Sequence, residues 1–319
     1  MTHAEIKDTF EQLGPTPRII QLLSQPDQLE HYKEQVDTAI LDIEPHLLKK
    51  LVSDTRSLSM KTNNPDSHKL VLVRRVERDC VHSSVVVAPI TDSIMSRLAR
   101  QLRVVAINEQ VDLYNHFSNA SQSKKMSGML FEAIGLRVIA KGLTITLLPM
   151  VRLPGKSNAK TGPCWYTIHV PLTDKAMEAE REQALFQSQK IQFSPTTIRE
   201  FKTDSVLSLV ERIFYVPASE MQEALDSFLL LDGILYILQF NVGQNHSIKQ
   251  GFVGFLQKCQ HVPPLEEWKF VFLIPPGLTL LCREPKSQLP GLYKLDPYSA
   301  ELDLRPYLRP LCTRLIEWY

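Results

Sequence analysis

The chain has 319 residues, with 36 lysines and arginines against 35 acidic residues, for a formal charge of +1. Near-neutrality excludes a global field that gathers nucleic acid or membrane, so either partner would have to be met by a local patch. The five cysteines, Cys80, Cys164, Cys259, Cys282 and Cys312, are scattered and form no C-x-x-C pair. That excludes a disulfide framework and a structural zinc site as first readings and favours a reducing, intracellular compartment.

A hydrophobic content of 44% is ordinary for a globular chain, and at about 150 residues per domain the length suggests two domains. Met-Thr-His-Ala-Glu-Ile-Lys-Asp at the start has no apolar core of a signal peptide. No apolar run approaches the ~20 residues needed to span a bilayer, so no membrane partner is expected.

In chain order, residues 4–58 read as helices broken at Gly14-Pro15-Thr16-Pro17, because proline stops one helix and suits the first turn of the next. Lys69–Val73 and Ser84–Ala88 are short β-rich runs expected to form a hairpin or wing, and Thr91–Phe117 returns to helix. Small and polar residues at 118–123 mark the expected boundary between a helical region, 1–118, and a second domain, 119–319. That domain opens with a helix over Lys124–Lys141, ended by Gly142 as the residue beyond the C-cap. Strands are expected at Leu143–Leu148, Trp165–Val170, Ile213–Val216 and Trp268–Ile274, with Pro154–Pro163 as a polar turn. Lys175–Gln189 reads as a charged, exposed helix or lid, and helices are expected at Ile248–Gln260 and Leu308–Trp318. The alternation gives an α/β fold with a mixed sheet.

The centre of the second domain is Glu223–Val242, two apolar runs flanking Asp232-Gly233. Asp-Gly between strand-like runs is the strongest short-range hairpin signal, since a type I′ turn requires positive φ at both central residues. A two-residue turn fixes the register and places Asp226 opposite Gln239, with Cβ atoms ~5 Å apart on one face. Asn241 falls on the same face, two residues on. Polar side chains on an otherwise apolar hairpin are costly unless partnered, which makes this face a candidate site; a plain hydrogen-bonded pair closing a hairpin is the structural alternative.

Glu132, on the 124–141 helix, has Gly128, Met129, Gly135 and Leu136 as its near neighbours and no cation among them. It is a candidate metal ligand or else a half-exposed surface glutamate. With Asp226 it would supply the carboxylates that Mg²⁺ takes beside water and phosphate, and the Gln239 carbonyl would be a third oxygen. His246 and Lys249, at i and i+3 of an expected helix start, would face the same site, and Lys249 would stabilise developing phosphate charge. Gly155-Lys156-Ser157 is not a P-loop, because Met150 stands where the first glycine belongs. Arg97, Arg100 and Arg103, with Arg74 and Arg75, form a candidate phosphate-contacting set or a solvated face. No G-x-S-x-G or H-E-x-x-H is present, which leaves serine hydrolase and zinc protease readings without support.

Eight segments taken in order, Gly14–Arg18, His68–Arg75, Gly128–Ala133, Phe214–Pro217 with Leu225–Phe228, Leu238–Val242 with His246–Lys249, and Phe270–Pro276, resemble the fungal and oomycete Crinkler effectors and the related retrotransposon hot spot proteins. The resemblance implies a P-loop ATPase followed by a restriction-endonuclease-like PD-(D/E)XK nuclease, a mixed sheet flanked by helices. No strand–Gly-Lys–helix motif precedes residue 14, so residues 1–118 correspond to a winged-helix-like lid and no bound nucleotide is expected. Arg18 corresponds to a nucleotide-sensing arginine. Glu132 corresponds to the glutamate of the first nuclease helix and Asp226 to the family aspartate. Gln239 and Asn241 stand where a second acid and a lysine belong, and Lys249 is placed to replace that lysine. The implied function is Mg²⁺-dependent phosphodiester hydrolysis of DNA or RNA. The alternative is an inactive effector module that binds a host protein or nucleic acid.

Overall fold

A computed structural model describes residues 1–46, 49, 67–75, 85–103, 105–119, 124–153, 164–166, 175–202, 206–218, 226–248, 251–283 and 297–307. Lys249, the 154–163 turn, most of the expected 45–58 helix and the expected closing helix at 308–318 lie outside the described residues. The chain divides into two compact units, Met1–Ile134 with Leu304–Tyr319, and Gly135–Asp303.

The first unit is largely helical. α1 (His3–Leu13) begins with a capping box, in which Thr2 accepts from the Glu5 amide and the Glu5 carboxylate accepts from the Thr2 amide. It ends at Gly14, whose φ of 84° is open to glycine. A Cβ there would also stand 2.5 Å from Ile90 Cγ2. Pro17 opens α2 (Pro17–Leu22) beneath a Thr16 cap, and Pro26 opens α3 (Pro26–Leu41). A four-residue α4 (Ser67–Leu70) leads into β1 (Val71–Arg75), which pairs antiparallel with β2 (Val85–Pro89), as expected of the wing-like runs.

The expected helix over 91–117 is two helices, α5 (Asp92–Arg103) and α6 (Ile107–Ser118). The wholly buried Gln110 turns its amide back to donate to the Leu102 carbonyl, which an unbroken helix would have used itself. Ile19, Val36, Ile94, Leu98, Val111, Leu113 and Phe117 build this unit's core. α7 (Lys124–Ala140) then carries the chain into the second unit. Gly142, with φ of 98°, ends it by donating its amide to the Ile139 carbonyl.

The second unit is a mixed α/β structure. Its strands are β3 (Leu143–Pro149), β4 (Val151–Leu153), β5 (Cys164–Tyr166), β6 (Gln189–Phe193), β7 (Thr197–Phe201), β8 (Ile213–Pro217), β9 (Ser227–Leu231), β10 (Ile234–Phe240), β11 (Asn245–Ser247), β12 (Trp268–Ile274), β13 (Leu281–Arg283) and β14 (Pro297–Glu301). Among the described residues they form an eight-stranded sheet, ordered β6-β3-β14-β12-β10-β9-β8-β7, and a four-stranded one, β11-β13-β5-β4.

α8 (Lys175–Phe186) follows β5 as the charged helix the sequence leads one to expect. The strands β8, β9 and β10 run antiparallel in succession, and α9 (Gly251–Leu256) then lets β12 return parallel to β10. Of the expected helix over 248–260, the described residues are helical at Gly251–Leu256 and not at Ile248 or 257–260. One face of the large sheet carries Phe228, Leu230, Leu235, Ile237, Phe270, Phe272 and Ile274 into a core with Phe252, Phe255 and Leu256. On the opposite face, α7 comes so close at Gly135 that a Cβ there would lie 2.1 Å from Phe240 Cε1.

Candidate functional site

Asp232 and Gly233 have φ of 51° and 77°, both positive as a type I′ turn demands. The ladder pairs Ile234 with Leu231, Leu235 with Leu230, Ile237 with Phe228, and Leu238 with Ser227. The next step of this register sets Asp226 against Gln239. The hairpin and its register are therefore those expected from Asp-Gly and the flanking apolar runs.

The Asp226 carboxylate reaches across the strand end, and its Oδ2 accepts the Phe240 amide at 2.7 Å. Gln239 is 6% exposed. Its Nε2 lies 3.1 Å from His246 Nε2, while its Oε1 is buried with no hydrogen-bond partner. An amide oxygen left unpaired in a core costs about 1–3 kcal/mol, so something must compensate or the position serves another purpose. Gln239 pairs in register with Phe272 on the neighbouring parallel strand, and the His246 ring lies 5.8 Å from that phenyl ring.

Asn241 closes the strand. Its main-chain amide donates to the Leu273 carbonyl at 2.9 Å. Its side chain folds onto Gly243, accepting that amide at 3.1 Å and donating to that carbonyl at 2.7 Å. The Asn241 amide is thus spent on an Asx-type turn.

His246 is not at a helix start. It lies on β11, whose backbone pairs with β13 and sets His246 beside Cys282. The Leu281 amide donates to the Gln244 carbonyl at 2.7 Å beside this pairing.

The same cross-strand row continues to a residue the sequence did not single out. Phe272 pairs with Ser299 on β14, and the Ser299 hydroxyl is buried without a partner. Only the three-strand register marks it, and no local signal in Tyr298-Ser299-Ala300 points there.

Glu132 lies on α7 within the first unit and is half-buried. Arg18, in the same unit, holds its guanidinium 6.0 Å from the centre of the Tyr32 ring. Burial raises the Tyr32 phenol and the nearby Arg18 charge partly offsets this. Arg97 forms an ion pair with Asp37 and so serves the first unit's own surface. The side chains of Arg74, Arg75, Arg100 and Arg103 are outside the described set.

Among the described residues no group of three or more His, Cys, Asp and Glu side chains gathers as a metal cluster. The Asp226 carboxylate and the orphaned Gln239 Oε1 on one face are nevertheless oxygen donors of the kind a hard divalent cation takes. Among the described residues, no helix is long and apolar enough to cross a membrane. No family model, no curated protein and no solved structure matches the chain.

Proposed function

We propose that the second unit is a restriction-endonuclease-like, Crinkler-type domain that hydrolyses phosphodiester bonds in DNA or RNA with Mg²⁺. The observation that carries this reading is the hairpin register, which sets Asp226 across from the buried, unpaired oxygen of Gln239. A mixed sheet flanked by helices and the ordered sequence segments support it. In this reading Asp226 holds the metal, and Gln239 orients it or the attacking water. Lys249 stabilises developing phosphate charge, while Asn241 and His246 stand on the phosphate side. When bound, Mg²⁺ polarises the phosphoryl oxygens and makes water more acidic. The chain's own part is to fix the oxygens: the Phe240 amide orients Asp226, and the His246 contact orients the Gln239 amide. The test is cleavage of labelled single- and double-stranded DNA and RNA in Mg²⁺ or in chelator. Cleavage that requires Mg²⁺ and disappears in Asp226→Ala is expected; identical behaviour of the two proteins removes the enzymatic claim.

A second reading, a non-catalytic effector module that binds a host protein or nucleic acid, is favoured by Asn241. Its side chain is neutral and fully engaged with Gly243, so the position offers no cation. Gln239→Glu with Asn241→Lys separates the two readings. Cleavage gained only in the double variant supports the module; cleavage already present in the parent supports the nuclease.

A further inference from the structure

We propose that Glu211 is the positioning residue that holds the Asp226–Gln239 hairpin in register; this rests on reading that face as the functional site. A type I′ turn leaves the amides of its two central residues without partners inside the hairpin. Here both are taken by one side chain from outside it. The Glu211 carboxylate accepts the Asp232 amide at 3.0 Å on one oxygen and the Gly233 amide at 2.8 Å on the other.

The backbone delivers that carboxylate. Glu211 forms a parallel bridge with Leu230, and the Arg212 amide donates to the Leu230 carbonyl at 2.9 Å. Arg212 itself adopts a φ of 61°, a conformation uncommon for a side-chain-bearing residue. The Arg212 guanidinium lies 3.9 Å from the Asp232 carboxylate, adding a weak contact from the same clasp.

The clasp selects among registers. Asp-Gly is compatible with a two-residue turn and with a three-residue loop carrying a glycine bulge. In the two-residue turn formed here the adjacent Asp232 and Gly233 amides are gripped by one carboxylate, and amide–carboxylate hydrogen bonds are the stronger, charge-assisted kind. A one-residue slip would send Gln239 to the other face of the sheet and leave the Asp226 carboxylate without the Phe240 amide. Glu211 thus acts on the site through the turn at the far end of β10.

The experiment is amide hydrogen exchange on the full chain and its Glu211→Ala, Glu211→Gln and Arg212→Ala variants. Glu301→Ala is the control, since Glu301 accepts the Gly277 amide at 2.9 Å at a different turn. In Glu211→Ala, exchange at Asp232 and Gly233 is expected to rise on the order of tenfold. Protection should also weaken along Ser227–Phe240 while Trp268–Ile274 keeps its protection. Glu211→Gln retains one acceptor oxygen and is expected to rescue one of the two amides. Arg212→Ala is expected to stay near the parent, and Glu301→Ala to leave the hairpin untouched.

Unchanged exchange at residues 232 and 233 in Glu211→Ala, or an equal rise in Glu301→Ala, overturns the proposal. If the parent cleaves nucleic acid, Glu211→Ala should lower kcat with KM retained. If the parent does not cleave, the nuclease reading fails while the exchange result still decides the clasp.

Discussion

The two ends of β10 treat their polar groups differently. At the turn end, both exposed amides are matched by the oxygens of Glu211. At the other end, inside the core, Asp226 has captured the Phe240 amide, yet Gln239 keeps an oxygen with no partner, and Ser299 in the same row does likewise. Buried polar groups are ordinarily satisfied. The contrast separates an end where both amides are matched from an end where satisfaction is incomplete.

The largest expected effect comes from crowding the second end. Gly135→Val would drive a side chain into Phe240, already 2.1 Å from an added Cβ. A loss of about 3 kcal/mol by urea denaturation is expected, overpacking outweighing the helix propensity gained. An unchanged midpoint would mean that α7 does not press on this strand.

Asp226→Ala comes next. It strips the charged acceptor from the Phe240 amide and should cost about 2 kcal/mol, in contrast to the exposed Glu211. Gln239→Met is the sharper variant. It removes the unpaired oxygen at similar volume, so stability is expected to stay within about 1 kcal/mol of the parent or rise. A loss well beyond that would show that the amide is fully satisfied and that the two ends of β10 are alike.

The smallest effect is alkaline. Burial pushes Tyr236 up from 10.0 to about 12, with the charges of Asp232 and Tyr298 adding to the shift. Because the folded chain holds this proton more tightly than the unfolded chain, its contribution is intact below pH 10 and is lost as pH rises through about 12. The Tyr236 part of the tyrosinate absorbance, read as the difference between the parent and Tyr236→Phe, should therefore appear together with unfolding, and the substitution should shift that transition to higher pH.

The hairpin was legible because Asp-Gly and strictly placed apolar residues act locally, and the resulting register fixed which side chains oppose each other. Trp268–Ile274 and the Gly142 stop were readable for the same reason. The break between α5 and α6 was not, because it depends on a buried glutamine reaching back to Leu102. Nor were the edge strands β6 and β7, which are polar and largely exposed and carry little alternation. The sequence around His246 carries a helix-start pattern, whereas its strand exists only through pairing with residues 281–283. Ser299 and Glu211 were invisible for a related reason: each matters through partners distant in sequence.

The most direct test is Mn²⁺-induced broadening of the Gln239 side-chain amide resonance, compared between the parent chain and Asp226→Asn. Broadening at Gln239 is expected in the parent and is abolished by the substitution. A resonance indifferent to Mn²⁺ in the parent, or broadened equally in both proteins, would contradict a metal-binding role for the pair.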